Sequence, residues 1–225
     1  MTYLLIYQPL YNILTILSFL FRGNVGWAIF ILAVLLRLAL LPLNRKTMLE
    51  QNKLMKIQPR MKEIQRIYKQ EPSQANKEMM ELFKQEKVNP YGSFGGVIIQ
   101  IALFIFLFIF FTQAIKSPDW TPHLYSFIKI APRLNYTFLG FIDLRVANLL
   151  LVVLSALINA VLTFLQPTAA NQNKTMFLFL PFIILFYWKI FPAAIIIYWI
   201  AMSLVGIIEA VLTRKILKTQ SQKQI

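Results

Sequence analysis

Cysteine is absent from this sequence of 225 residues, histidine occurs once, and aspartate and glutamate together number nine. Without cysteine the chain has no disulfide, no thiolate nucleophile and no cysteine-ligated metal site. The sequence also lacks a Ser/His/Asp set and a glycine-rich phosphate loop, and its lone histidine, His123, falls in a polar loop. We therefore predict that the protein is not an enzyme and that it uses no catalytic residue, cofactor or metal.

Apolar residues are what the chain has in excess. They make up 58% of the sequence, whereas soluble domains contain about 45–50%. The formal charge of +14 would suggest a nucleic-acid partner in a soluble protein. Here, however, the basic residues are concentrated in alternate polar segments, as they are in the cytoplasmic loops of membrane proteins. We predict an integral membrane protein without direct nucleic-acid recognition.

Five apolar runs are predicted to cross the bilayer as helices, because each is close to the length that spans the hydrocarbon core. They are residues 26–43, 94–115, 146–166, 175–189 and 193–212. An extracytoplasmic loop, 116–145, and a basic cytoplasmic tail, 213–225, complete the outline. The predicted fold class is therefore an all-α membrane protein with five transmembrane helices.

The first 22 residues are predicted to form a helix of a different kind. Their polar residues are spaced by four, three and three and so share one stripe of a helix: Gln8, Asn12, Thr15 and Ser18. This pattern favours an amphipathic helix that lies in the membrane interface. The uncharged run over 3–21 is also long enough to cross, so both arrangements remain open.

Residues 45–88 carry 11 basic and 6 acidic residues and have Met and Ile at helical spacings. The turn signal Glu71-Pro72-Ser73 divides them, which predicts a helical hairpin outside the bilayer. With this hairpin, the 167–174 loop and the tail in the cytoplasm, that side holds 16 basic residues and the other side holds six. The positive-inside rule then predicts an external N-terminus and a cytoplasmic C-terminus.

Arg37 is the candidate functional residue, because it is a charge inside an apolar helix. It lies six residues before Leu43, about 9–12 Å from the predicted end of that helix. An arginine at this depth costs about 2.5–3.5 kcal/mol on insertion scales. Its long stem could also snorkel to the interface, but Arg45 and Lys46 already anchor that interface. We therefore favour a functional role for Arg37.

A polar stripe runs along the predicted helix 146–166 and gives Arg37 candidate partners. Its members are separated by seven, four, four and three residues: Asn148, Ser155, Asn159, Thr163 and Gln166. Interhelical hydrogen bonding is the plain alternative to a hydrated groove at this face. Trp199 and Ser203 on the last helix are candidates for the opposite wall of such a groove.

Glu209 is the only acidic residue within a predicted membrane helix. A pair with Arg37 and a pair with the nearby Arg214 or Lys215 both remain open at this point.

Many ordered segments resemble the YidC-type membrane protein insertases, over nearly the whole chain. They lie at 7–12 (Tyr-Gln-Pro-Leu-Tyr-Asn), 26–29, 36–38, 41–43, 55–65, 76–84, 88–90, 140–144, 191–194 and 198–199. The resemblance implies a five-helix core around a hydrophilic groove, with Arg37 as the groove arginine. Gln166 and Trp199 look like positions of further groove residues. It also implies a minimal form without a large extracytoplasmic domain.

The resemblance further implies the function. Such insertases move nascent membrane proteins into the lipid bilayer of the bacterial inner membrane, without consuming nucleotide themselves. The nascent proteins and the bilayer are the implied partners, with the ribosome and a Sec-type translocon as further candidates. The rival hypothesis is a small transporter or anion pathway that uses Arg37 as counter-charge, but the sequence shows neither inverted repeats nor interrupted half-helices.

Overall fold

The computed structural model describes residues 7–89, 92–117, 119–128, 134–165, 186 and 188–222. Seven α-helices lie within these residues: α1 (Gln8–Leu20), α2 (Val25–Ala39), α3 (Leu41–Ile67), α4 (Pro72–Gln85), α5 (Gly92–Ala114), α6 (Leu149–Leu165) and α7 (Ala193–Gln222). The predicted all-α class is confirmed for this part of the chain. Two strands of two residues each, β1 (Thr137–Phe138) and β2 (Ile142–Asp143), form a small antiparallel hairpin before α6.

The polar stripe of α1 faces the protein together with core residues such as Leu14, and the opposite side of the helix faces outward. Asn12, Thr15 and Ser18 are buried, whereas Phe19 and Leu20 are largely exposed. The Asn12 side chain explains this orientation, because its amide bridges to the loop after α5. It donates to the carbonyl oxygen of His123 over 3.3 Å and accepts from the backbone N–H of Tyr125 over 2.8 Å. Whether α1 lies along or across the membrane stays a prediction.

A sharp break separates α2 from α3. The helix α2 ends at Ala39, four residues before the predicted end of the first span, and α3 begins at Leu41 at an angle of 58° to it. Pro42 accounts for the break, because proline has no N–H to continue the helix of the preceding residues and its ring would clash with the carbonyl four residues earlier. The break places Asn44 beside the end of α2.

The helices α3 and α4 form the helical hairpin over the segment for which one is predicted. They have an apolar cluster of their own, formed by Ile57, Leu82, Phe83 and Val88. An ion pair between Arg60, within α3, and Glu86, directly after α4, joins the two helices. This unit therefore has its own packing, apart from the main core, and its position relative to the bilayer stays a prediction.

The main core surrounds α7, whose residues 193–198 are almost fully buried. The helices α2 and α6 pack along it, and α1 packs against α2. Gly26 permits the close contact between α2 and the β hairpin, since a Cβ at this position would lie 2.4 Å from the Phe138 ring. The core thus brings α2, α6 and α7 together, and these three helices carry the candidate site.

One described helix is long and apolar enough by itself to cross a bilayer, and it is α7 over Ala193–Arg214. The bent pair α2 and α3 meets the same criterion only when taken as one span. The other apolar helices, Gln8–Leu20, Ile98–Ala114 and Leu149–Leu165, are shorter. Five crossing helices therefore stay a prediction, and the predicted helix 175–189 lies almost wholly outside the described residues.

Candidate functional site around Arg37

Arg37 is buried and forms an ion pair with Glu209. Both residues are 4% exposed. The Nη2 and Nε atoms of Arg37 donate to the same carboxylate oxygen, Oε2 of Glu209, over 2.6 and 3.0 Å. The other oxygen, Oε1, accepts a longer hydrogen bond of 3.5 Å from the side-chain amide of Asn44. The pair joins α2 to α7 across 172 residues of sequence.

This pairing decides between the two partners that the sequence left open for Glu209. Arg214, the nearby alternative, instead donates from Nη2 to the carbonyl oxygen of Phe164 at the end of α6, over 2.8 Å. Burial explains the preference, because a charge removed from water needs an opposite charge and hydrogen bonds at close range. The site is therefore a neutral ion pair, whereas Arg37 considered alone would be an isolated positive charge.

Gly206 makes room for the guanidinium group between α6 and α7. A Cβ at this position would lie 3.1 Å from Nη2 of Arg37 and 3.2 Å from a methyl carbon of Leu162. Either contact is tight enough that a neighbour would have to move. Ser203, Gly206 and Glu209 are three residues apart, so they share one face of α7. This face connects Arg37 to the polar residues of α6.

The polar stripe of α6 meets α7 through Asn159. The hydroxyl of Ser203 donates to Oδ1 of Asn159 over 3.2 Å, while Nδ2 of Asn159 donates to the carbonyl oxygen of Ser155 over 2.9 Å. Thr163 donates to the carbonyl oxygen of Asn159, also over 2.9 Å. The Asn159–Ser203 contact is interhelical, so the plain alternative of interhelical bonding accounts for part of the stripe.

The remaining predicted site residues have different surroundings. Asn148 caps the start of α6, since its Oδ1 accepts from the backbone N–H of Leu151 over 3.1 Å. Trp199 is half-buried and its ring packs against Phe104 of α5 with 5.3 Å between centroids. Gln166 lies outside the described residues. Of the described candidates, Ser155, Asn159, Thr163 and Ser203 are joined by hydrogen bonds, and Trp199 belongs to an aromatic contact.

Sequence reasoning missed Asn44 and Gly206 as parts of this site. A weak signal was present for Gly206, because a glycine inside an apolar helix often marks the close approach of a neighbouring helix. Asn44 gave no such signal, since its role depends on the break at Pro42 that turns α3 back toward α7. Among the described residues, no group of three or more His, Cys, Asp or Glu side chains is arranged to hold a metal.

Comparison with known proteins identifies the family of the chain that carries this site. Residues 16–222 match the family model described as 60Kd inner membrane protein. The chain belongs to this family. Proteins named membrane protein insertase YidC are similar to it, including one from Campylobacter jejuni that is 29% identical over 219 residues and one from Wolinella succinogenes that is 31% identical over 217. The predicted resemblance to YidC-type insertases is therefore confirmed.

The relatives are longer than this chain. Both alignments cover 96% of the chain, but only 39% of the Campylobacter jejuni protein and 38% of the Wolinella succinogenes protein. A third relative, the YidC insertase of Cupriavidus necator, is 33% identical over 194 residues, which are 84% of the chain and 32% of that protein. The family thus covers every helix that forms the Arg37 site, and the chain spans under two fifths of these relatives.

Proposed function

We propose that this chain inserts nascent membrane proteins into the lipid bilayer and that the Arg37 site receives the hydrophilic part of each client. One observation carries the proposal, namely the charged and polar side chains that α2, α6 and α7 hold together inside an apolar bundle. Membership of the 60Kd inner membrane protein family supports it. The names of the relatives also favour an insertase over the small transporter that a buried arginine alone would allow.

When a client binds at this site, protein contacts replace the water around its polar segment. A guanidinium group in a region of low dielectric attracts a client carboxylate more strongly than it would in water. Asn159 and Thr163 of α6 and Ser203 of α7 would offer hydrogen bonds to the client's polar groups. The client's apolar segment then moves into lipid, and the burial of about 20 apolar residues supplies the free energy without nucleotide.

The remaining features of the proposal concern the membrane. Five crossing helices around the site would place the N-terminus outside and the C-terminus in the cytoplasm of a bacterium, as the charge distribution predicts. The α3–α4 hairpin would then meet the client on the cytoplasmic side. Its exposed Met80 and Ile67 suit contact with varied apolar segments. The ribosome and a Sec-type translocon are the proposed further partners.

Insertion into proteoliposomes tests the proposed function. The client is a single-span protein with an acidic leading segment, and the variants are Arg37→Ala and Arg37→Lys. We expect the alanine variant to lose most insertion, because no cation remains to bind the client carboxylate. The lysine variant should retain much of the activity, since an ammonium group keeps the charge.

The matched control is Arg145→Ala, which removes an exposed arginine from another ion pair. It should insert the client as well as the original protein does. If folded Arg37→Ala also did so, the guanidinium group would not be the binding group and this mechanism would be wrong.

A further inference from the structure

We propose that Glu209 is the resting counter-ion of Arg37 and that a client carboxylate displaces it, so that Glu209 limits how tightly the site holds acidic segments. This inference rests on the proposed function, and it assigns a specificity-determining role to a second residue of the same site. It follows from the geometry of the pair, from the burial of both groups and from the number of hydrogen-bond donors left on Arg37.

Arg37 already has a counter-ion in the described structure. Glu209 holds two of its N–H groups through a single oxygen, and both side chains are buried. An incoming carboxylate therefore competes with one that is already in place. Because Glu209 is tethered beside Arg37, its effective concentration there is far above that of any passing client.

Arg37 also has N–H donors that Glu209 does not use. A guanidinium group has five N–H donors, and Glu209 takes two of them. Within the part of the chain that the structure describes, the other three donors of Arg37 make no hydrogen bond. A client carboxylate can thus bind the free edge of the guanidinium before Glu209 leaves, so neither charge is unpaired during the exchange.

Glu209 also has a second contact to which it can remain attached. Asn44 donates to its Oε1 over 3.5 Å, from the start of α3. A carboxylate released by Arg37 would therefore still have an amide donor close by. This lowers the cost of displacement, because a fully unpaired buried carboxylate would be strongly unfavourable.

The consequence is a difference between binding and release. Without Glu209, a client carboxylate would meet a free cation in a region of low dielectric, bind more tightly and leave more slowly. With Glu209, every client contact is weakened by the competition, and the returning glutamate promotes release. Removal of Glu209 should therefore increase the binding of acidic segments while it slows their transfer to lipid.

Binding of two synthetic peptides to proteoliposomes tests this inference. Each peptide has one apolar span and a polar leading segment that carries a fluorophore, and the two differ only by Asp or Asn in that segment. The quantities measured are the Kd and the dissociation rate of each peptide. The variants are Glu209→Gln, Glu209→Asp, Arg37→Gln and the double variant Arg37→Gln/Glu209→Gln, with Asp143→Asn as a matched control at an exposed pair.

We expect Glu209→Gln to bind the Asp peptide about tenfold more tightly than the original protein does, with slower dissociation and no change for the Asn peptide. Glu209→Asp should lie between the two, because its carboxylate is one methylene further from Arg37. The double variant should not distinguish Asp from Asn. A general packing defect would weaken both peptides alike, so the ratio of the two affinities isolates the competition.

Equal or weaker discrimination by Glu209→Gln would overturn the inference. If that variant does not fold, the same ratio in Glu209→Asp decides, because this variant keeps the charge of the pair. The two proposals fail differently. If Arg37→Gln still discriminates Asp from Asn as the original protein does, the proposed function of the Arg37 site is wrong. If Arg37→Gln loses discrimination but neither Glu209 variant gains it, only the role of Glu209 is wrong.

Discussion

Two arginine–carboxylate pairs of similar length show how differently the same chemistry behaves in two regions of this molecule. Arg37 and Glu209 lie 2.6 Å apart with side chains 5% and 3% exposed, whereas Arg145 and Asp143 lie 2.8 Å apart with side chains 56% and 38% exposed. The first pair joins two helices that are far apart in sequence. The second lies within two residues, at the end of strand β2, and also includes the backbone N–H of Arg145.

The difference between the pairs lies in the solvent that each partner would meet if the other were removed. Water and salt would compensate a lone charge at the exposed pair. At the buried pair neither reaches the charge readily, so the loss of one partner leaves a desolvated ion. The exposed pair is therefore a local contact, while the buried pair is a constraint on how α2 and α7 pack.

The largest expected effect comes from removal of one member of the buried pair. Glu209→Ala should lower the free energy of unfolding by about 3–5 kcal/mol, because Arg37 is left buried without its counter-ion. Chemical denaturation in detergent micelles measures it. The control is the double variant Arg37→Met/Glu209→Ala, which removes both charges and should recover much of this loss. A single variant as stable as the original protein would show that water reaches Arg37 freely.

The next largest effect is expected at Gly206, which separates Arg37 from Leu162. Gly206→Ala should cost about 1–3 kcal/mol, because its Cβ would lie 3.1 Å from the guanidinium nitrogen and force a neighbour to move. The same denaturation measurement applies. In an Arg37→Met background the cost should be smaller, since one of the two tight contacts is gone. An equal cost in both backgrounds would assign the strain to Leu162 alone.

A smaller effect is expected where the polar stripe of α6 meets α7. Ser203→Ala should cost about 0.6 kcal/mol, the average for a hydrogen bond between helices in a membrane protein. Thermal unfolding in detergent measures the change. Asn159→Ala should cost more than Ser203→Ala, because Asn159 also donates to the carbonyl oxygen of Ser155. If Ser203→Ala lowered the stability more than Asn159→Ala, the hydrogen bond between Ser203 and Asn159 would not be the main stabilising contact of either residue.

The smallest effect is expected at the exposed pair, and it has a definite dependence on pH. Hydrogen bonds from the Arg145 side chain and backbone lower the pKa of Asp143. A carboxylate with a lowered pKa stabilises the fold above its ordinary pKa of about 3.9 and loses that contribution as pH falls through the lower folded value. Asp143→Asn should therefore change the unfolding midpoint slightly at pH 7, and this change should shrink as the pH falls below the ordinary pKa of the carboxyl group. High salt should reduce the difference further.

Most of the fold class and part of the site could be predicted from the sequence. Apolar run length predicts helices, and Glu71-Pro72-Ser73 separates α3 from α4, whereas the break at Pro42 was not predicted and the first helix was expected to continue to residue 43. The spacing of Asn159 and Thr163 placed both on one side of α6, where the structure joins them by a hydrogen bond. These features are local, because they depend on residues within one or two helical turns.

The partners across helices could not be predicted in the same way. The sequence offered Glu209 both Arg37 and its near neighbours Arg214 and Lys215, and it did not decide between them. In the structure Glu209 pairs with the distant Arg37, because its side chain is buried in the core, whereas Arg214 contacts the end of α6. Likewise, the spacing of the polar residues in α1 predicts that they share one stripe, but only the structure shows that Asn12 of this stripe binds the loop after α5.

The sequence by itself determined that Arg37 would be a charge within an apolar helix and that polar residues of α6 would share a face. Only the tertiary structure decided that the charge is paired, that Gly206 lets α7 lie against the guanidinium group and that Asn44 joins the same site. The physical reason is that the free energy of a buried charge depends on all of the groups packed around it. An ion removed from water needs a counter-ion nearby in space, and which residue supplies it depends on how three helices pack.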